Sequence, residues 1–397
     1  MSIELTCMQE RGLRTAIERY KLGEKYTVIS GYAGSGKSTL IRFIVEALGF
    51  DPETDVAYVA YTGKAASVLK QKGCPNATTA HKLLYFAKPM PNGTYVFSPK
   101  PKSEVNYKLV VVDEVSMLPR DMWELLLTHR PYILATGDPG QLPPINPEDD
   151  NHVLDTPHVF LDEIMRQAQD SEIIRLSMHI REGAPLSTFQ CLGEQVQIFD
   201  KHEVVTGMYS WADQILCATN ATRHAINTLV RQQKGFGPEP QEGDKIISLH
   251  NHWDYLSTNG DWALTNGSIG TIKQYYKQKI WVPKYISKTP IDYMHTDIGL
   301  DDGDAFSAIP VDYLSLTTGK TALDAKQTYL LNKSKNLINA PFEFAYAYAI
   351  TGHKAQGSEW GKVLAFEEGF PNIQEEHKKW LYTCATRAMD KLVVIKK

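Results

Sequence analysis

Short apolar runs alternate with helical periods along most of this chain. Tyr26–Ser30 reads as a brief strand, and it passes into Lys37–Leu48, where Leu40, Ile41, Phe43, Ile44, Val45 and Leu48 mark one helix face. Asp55–Ala60, Lys108–Val112 and Tyr132–Thr136 are unbroken apolar runs bounded by polar residues, the pattern of strands buried on both faces of a parallel sheet. A second such set follows: a helix at Ser171–Ile180, a strand at Gln214–Ala218, a helix at Thr222–Gln233 and a last strand at Lys391–Ile395. This alternation predicts an α/β fold with parallel sheets. Two stretches break it. Lys88–Phe97 carries an Asn92-Gly93 turn signal beside an alternating segment, which predicts a β-hairpin with Tyr95 and Phe97 on one side. Gly243–Leu249, Asn266–Ile272 and Lys279–Ile286 predict strands of a small β-barrel. Its aromatics (Trp253, Tyr255, Trp262, Tyr275, Tyr276, Trp281, Tyr285) are read first as barrel core, with base stacking as the alternative.

Chemistry enters at the strand ends. Gly31-Tyr-Ala-Gly-Ser-Gly36-Lys37-Ser38 fits G-x-x-x-x-G-K-[ST] between a strand and a helix. Backbone N–H groups of such a loop, here Gly34, Ser35, Gly36, Lys37, Ser38 and Thr39, curl around an anion at the positive end of the helix dipole. Lys37 is expected at the β/γ-phosphates of a nucleoside triphosphate, and the Ser38 hydroxyl on Mg²⁺. Asp113-Glu114 ends the Lys108–Val112 run at the mouth of the sheet. Asp113 is expected to hold Mg²⁺, and Glu114 to act as general base on a water. A solvated turn is the competing reading of the pair, and four preceding apolar residues argue against it.

Composition narrows the class. The 397 residues carry a net charge of −4, so any polyanion groove has to be local. The five cysteines are scattered, without C-x-x-C pairing, and read as reduced thiols of a cytoplasmic protein. No signal peptide and no apolar run of membrane-spanning length is seen, so no membrane partner is expected. Asp297 and Asp301-Asp302-Gly-Asp304 miss the spacing of a calcium loop and read as a solvated acidic turn.

Further motifs follow in order: Leu5-Thr6-x-x-Gln9; Thr62-Gly-Lys-Ala-Ala; Thr78-Thr79-Ala-His81; Gly137-Asp138-Pro-Gly-Gln141; Met165-Arg166-Gln; Thr351-Gly-His353-Lys354-Ala-Gln356-Gly357-Ser-Glu359; and Tyr382-Thr383-Cys-Ala-Thr386-Arg387. This ordered set resembles superfamily 1 DNA helicases of the RecD/Dda branch. The resemblance implies two RecA-like P-loop motor domains: residues 1–157, with a hairpin insertion at about 85–106, and residues 158–240 with 341–397. It implies an SH3-like β insertion at 241–340. It implies ATP and Mg²⁺ as cofactors, and single-stranded DNA and duplex-DNA junctions as partners, with replication or recombination proteins as further ones. A monomer is expected. Gln9 resembles the residue that reads adenine, Gln141 the γ-phosphate sensor, Arg166 and Arg387 the arginine fingers, and Glu359 a residue near the ribose. Thr62, Thr79, His81, Asn220, Thr351 and His353 resemble single-strand contacts, and Tyr95 and Phe97 the strand-splitting pin. Met165 stands where some relatives carry a tyrosine that stacks on adenine.

Three alternatives stay open at this level. A P-loop phosphotransferase acting on a small substrate leaves the His353 and Arg387 motifs unexplained. A nucleic-acid-binding protein with an inactive ATP site is at odds with the intact Lys37, Asp113 and Glu114. RNA is an alternative track, because backbone contacts discriminate poorly unless a 2′-hydroxyl is read. Thr219-Asn220 also fits a simple helix cap.

Overall fold

The structure, a computed structural model, describes residues 4–89, 95–144, 146–165, 170–260, 263–300, 303–333, 340–369 and 374–397, without the side chains of Pro89, Tyr95, Pro147 and Trp253. Arg166, Trp262, Asp301, Asp302 and the Asn92-Gly93 turn therefore lie outside the described residues, as do the side chains of Tyr95 and Trp253. The chain forms two compact units. One comprises Met1–Leu84, Pro99–Arg223 and Ile350–Lys397, and the other Tyr85–Ser98 and His224–Ala349.

The first unit opens with β1 (Tyr26–Gly31), β2 (Val56–Ala60) and β3 (Ala77–Thr79). The chain then enters the second unit for β4 (Tyr85–Pro89) and β5 (Tyr95–Pro99), which form a two-stranded sheet. It returns with β6 (Leu109–Val112), β7 (Tyr132–Gly137) and β8 (Val159–Leu161). The first sheet has the order β3-β2-β6-β7-β1-β8, with parallel pairing along it. β2, β6 and β7 are buried at every position, as strands covered by helices on both faces must be. Ile29, Leu40, Ile44, Val111 and Leu134 share its core with Ala16 of the first helix. β7 lies between β1 and β6, so the loops after all three open at the same edge of the sheet.

A second parallel sheet starts with β9 (Val196–Asp200) and β10 (Gln214–Cys217). The second unit interrupts it with β11 (Lys245–Ser248), β12 (His252–Leu256), β13 (Ala263–Leu264), β14 (Ile269–Ile280), β15 (Ile291–Gly299), β16 (Ala305–Asp312) and β17 (Phe344–Tyr346). β18 (Ala349–Thr351), β19 (Trp360–Phe366) and β20 (Ala388–Lys396) then complete the order β18-β10-β19-β20-β9. In the second unit β16-β15-β14-β11-β17 form one antiparallel sheet around Ile246, Met294, Phe306 and Phe344.

Three expectations are corrected here. Lys279–Ile286 is not a separate strand. β14 runs unbroken to Ile280, and Pro283, which lacks an N–H, accepts a turn bond from Ile286. The aromatics are only partly core. Tyr255 and Tyr275 pack against it, but Tyr276, Trp281 and Tyr285 are exposed. Asp304 is not solvated: it is buried, and Thr258, Asn259 and Ala305 donate to its Oδ1, while hydrogen bonds including these hold its pKa down to about 2 against the effect of burial.

Glu172 opens the helix Glu172–Arg181 and ties it to β9. Its buried carboxylate accepts from the N–H groups of Leu192, Gly193, Gln195 and Val196 at 2.6, 2.7, 3.0 and 3.4 Å, and from Arg175 at 3.1 Å. Burial alone would raise its pKa; the backbone donors outweigh it and hold the carboxyl below its usual range. A Gln side chain turns an NH₂ toward these donors. Glu172→Gln is therefore expected to cost about 1–3 kcal/mol at neutral pH, read by urea unfolding. The folded-state pKa is depressed, so this stability is complete above the unfolded value of about 4.3 and fades as pH falls through the folded one; wild type and variant converge there.

Candidate active site

Gly31–Ser38 is shaped by two glycines in the left-handed region, Gly34 (φ 77°) and Gly36 (φ 76°). Gly36 caps the helix Lys37–Ala47 through its backbone alone, which leaves the helix N-terminus open to an anion. Lys37 Nζ donates to the carbonyls of Gly31 and Tyr32 at 2.6 and 3.0 Å. Burial lowers the Lys37 pKa, and Asp138, Asp113 and Glu114 oppose that shift.

Asp113 and Glu114 follow β6. Thr136 on β7 donates to Asp113 Oδ1 at 3.0 Å. Glu114 takes left-handed backbone (φ 48°), unusual for a non-glycine residue and a point of local strain. Its Oε1 lies 3.5 Å from Arg387 Nη1, and its Oε2 is buried with no hydrogen-bond partner among the described residues. Burial raises the Glu114 pKa, with Arg387 opposing. Arg387 itself is buried; it follows the helix Gln374–Ala385 and donates to the carbonyls of Thr383 and Ser358. Gly357 approaches from the second sheet in left-handed backbone (φ 71°). A Cβ there would lie 2.8 Å from Ala65 and 3.4 Å from Glu114 Oε2, so only glycine fits.

Ser38, Thr62, Lys72, Asp113, Glu114, Gly357, Glu359 and Arg387 thus line one open pocket. The donor set around Ser38 and Asp113, a hydroxyl and carboxylate oxygens including the unpartnered Glu114 Oε2, is hard oxygen chemistry that fits Mg²⁺. Glu359 pairs with Lys72 at 2.8 Å on the same lining.

Other expected site residues, Thr62 apart, stand outside this group. Gln9 is buried: its Nε2 donates to the Ser35 and Gly36 carbonyls, and its Oε1 closes a capping box with Thr6. Met165 packs against Gly36, and its N–H donates to Gly34; Arg166, the next residue, lies outside the described residues. Gln141 sits in the turn after β7. The Thr62 and Thr79 hydroxyls accept from Ala65 and Lys82 N–H groups at their helix starts. Burial drives the His81 pKa down to about 4, so the ring is neutral at pH 7, and burial lowers that of His353 also. Thr351 precedes the short helix Gly352–Ala355. At Asn220 the capping reading is realised by its neighbour: the Thr219 hydroxyl accepts from Thr222 N–H, and Asn220 is the exposed first helical residue. Phe97 is partly exposed and meets Tyr85 edge-on.

Several contacts had no role assigned from the sequence. The Tyr382 hydroxyl accepts from Ala33 N–H at 2.9 Å and donates to Asp138 Oδ2 at 2.7 Å. Thr383 Oγ1 accepts from Leu142 N–H, and Gln356 Nε2 donates to the Leu142 carbonyl. The Arg181 guanidinium stacks on Tyr32 at 3.7 Å. Their only sequence signal was membership of the quoted motifs, and Arg181 had none.

A phosphate loop, a strand-end carboxylate pair and an arginine from a second parallel sheet define a P-loop nucleotide-binding protein. Residues 8–207 match the AAA domain, half of the chain, and residues 346–395 match the UvrD-like helicase C-terminal domain. The chain belongs to the AAA domain family, and these matches group it with superfamily 1 helicases of RecD and Dda type. It is similar to the ATP-dependent RecD2 DNA helicase of Deinococcus radiodurans, 26% identical over 93% of this chain and 46% of that protein. It is also similar to the ATP-dependent DNA helicase dda of phage T4, 29% identical over 36% of this chain and 34% of that one. The chain thus spans less than half the length of these curated relatives. In fold it is similar to Bacteroides Pif1 bound to ssDNA (TM-score 0.54, 17% identity, 99% of this chain, 92% of that chain). It is likewise similar to Pif1 helicase from Candida albicans (TM-score 0.51, 18% identity, 99% and 94%).

Binding at this loop is directly testable. Mg-ATP at 100 times its Kd is expected to add about 2.7 kcal/mol of stability, read as a rise in Tm. Lys37→Ala is expected to abolish most of that rise; an unchanged rise would remove Lys37 from the phosphate site.

Proposed function

We propose that this chain is an ATP-dependent DNA helicase that moves 5′→3′ along single-stranded DNA. The observation that carries the reading is the pocket in which Ser38, Asp113 and Glu114 from the first sheet's strand ends meet Arg387 beside the second sheet, with Lys37 in their electrostatic reach. In this reading 1–157 and 158–240 with 341–397 are the two motor domains, and 241–340 is an SH3-like insertion. The enzyme acts as a cytoplasmic monomer on single strands and duplex junctions, in replication or recombination.

The residues divide the work. Backbone N–H groups of Gly34–Thr39 and Lys37 hold the phosphates, while Gln9 and Glu359 face the nucleoside. Glu114 takes a proton from the attacking water, which Gln141 orients. Arg387, with Arg166, stabilises charge developing on the γ-phosphoryl group. Ser38 and Asp113 would hold Mg²⁺, which neutralises phosphate charge when bound. Thr62, Thr79, His81, Asn220, Thr351 and His353 grip the strand backbone without reading sequence. A neutral His81 does so by hydrogen bonding, not by charge.

Glu114→Gln is expected to keep ATP binding and lower turnover about 10²–10⁴-fold, because an amide cannot accept the proton. The base must be ionised, and burial raises its pKa. Turnover therefore falls on the acid side at a pH above the ordinary carboxylate range. Arg387→Ala removes the opposing charge and is expected to move that limb to higher pH; a kcat–pH profile checks both.

Direction and substrate are tested together, by strand separation on forked and tailed duplexes with ATP. Unwinding from 5′ tails and ATPase stimulation by single-stranded DNA are expected; preference for 3′ tails would refute the direction. ATPase without any DNA response would favour the phosphotransferase. Replacing Tyr95 and Phe97 by Ala is expected to slow strand separation while sparing DNA-stimulated ATPase, since base stacking is worth about 1–3 kcal/mol per base.

A further inference from the structure

We propose that Tyr382 is a positioning residue for ATP hydrolysis. Its hydroxyl holds the phosphate loop and the turn that carries Gln141 in one frame. The proposal rests on the ATPase reading of the same pocket and adds to it a residue that touches neither nucleotide nor metal.

The geometry is restrictive. Tyr382 is fully buried in the helix Gln374–Ala385, five residues before Arg387. Ala33 N–H can only donate and an ionised Asp138 can only accept, so one hydroxyl serves both, as acceptor to the first and donor to the second. Ala33 lies inside the loop Gly31–Ser38. Asp138 shapes the turn after β7: its Oδ1 accepts from Gly140 N–H at 2.9 Å, and its carbonyl accepts from Gln141 N–H at 3.2 Å. The Tyr382 ring lies against Gly140, where a Cβ would come within 3.0 Å of it. Thr383 and Gln356 hold Leu142 independently. Loss of the hydroxyl therefore leaves the helix docked and frees only the registration between loop and turn. Arg387 on the same segment reaches Glu114, so docking of one helix delivers the arginine and sets the water-orienting turn together.

Misplacement of reacting groups acts mainly on the chemical step, not on ground-state binding. In the full chain with saturating oligo-dT, Tyr382→Phe is expected to lower kcat for ATP about tenfold and to change KM less than about threefold. Tyr382→Phe combined with Asp138→Ala is expected to lose less than the product of the two single losses, because the two side chains share one hydrogen bond. A kcat within about twofold of wild type would overturn the proposal, as would a KM rise at constant kcat or multiplying losses in the double variant. If Tyr382→Phe does not fold, Gly140→Ala serves: its methyl pushes on the ring edge and should give the same kcat-against-KM split, and an unaltered kcat there would equally overturn it. Absence of DNA stimulation in the wild type would sink the helicase reading alone, because the Tyr382 comparison is made in ATP turnover.

Discussion

Asp113, Glu114 and Arg387 line one pocket, and the buried Lys37 lies within their electrostatic reach. Burial pushes Lys37 toward its neutral form, and three carboxylates push back; burial pushes Glu114 the same way, and Arg387 pushes back. Removing Arg387 leaves Glu114 as a buried carboxylate without its opposing charge, which is far more costly than the pair is stabilising. The remaining architecture serves to bring these groups, drawn from two separate sheets, into one site.

Parallel sheets do this economically. Strand ends that open on one edge place loops side by side without long connections, and the order β6-β7-β1 sets the carboxylate pair, the turn after β7 and the phosphate loop in a row. The second sheet contributes a helix and the turn after it, whose polar residues at 382, 383 and 387 all reach that row. Gly357 shows how close the approach is, since no side chain could stand there.

Much of this was legible in the sequence, for a physical reason. The phosphate loop, Asp113-Glu114 and the Arg387 motif sit at element ends, where a few consecutive residues carry both the local geometry and the chemistry. The Tyr382–Ala33 contact joins residues 349 apart in sequence. No local pattern encodes such a docking, so Tyr382 read only as a member of the Arg387 motif. The left-handed backbone of Glu114 was equally invisible, because no glycine announces it. Aromatic content in the second unit suggested core, but β14 continues past the cluster around Ile246 and Met294 to Ile280 and leaves Tyr276 exposed. Alternation tells which face a residue is on, not how far the covering layer reaches. The unit boundary at Arg223, inside the helix Asn220–Gln233, likewise has no signal in composition.

The divided second sheet has a consequence for how the chain is made. The first sheet is complete once β8 has emerged, and its strands are separated by short crossovers. The second cannot close until β20 is available, because β20 stands between β19 and β9, nearly two hundred residues after β9 began. Chain closure over longer loops costs only about 0.6 kcal/mol per doubling of length, so the finished fold loses little stability. The delay is kinetic: β9 and β10 wait with unpaired backbone edges while the second unit is synthesised. The part of the molecule most exposed to misassembly during translation is therefore the half that supplies the arginine, and the phosphate loop exists before its partner does.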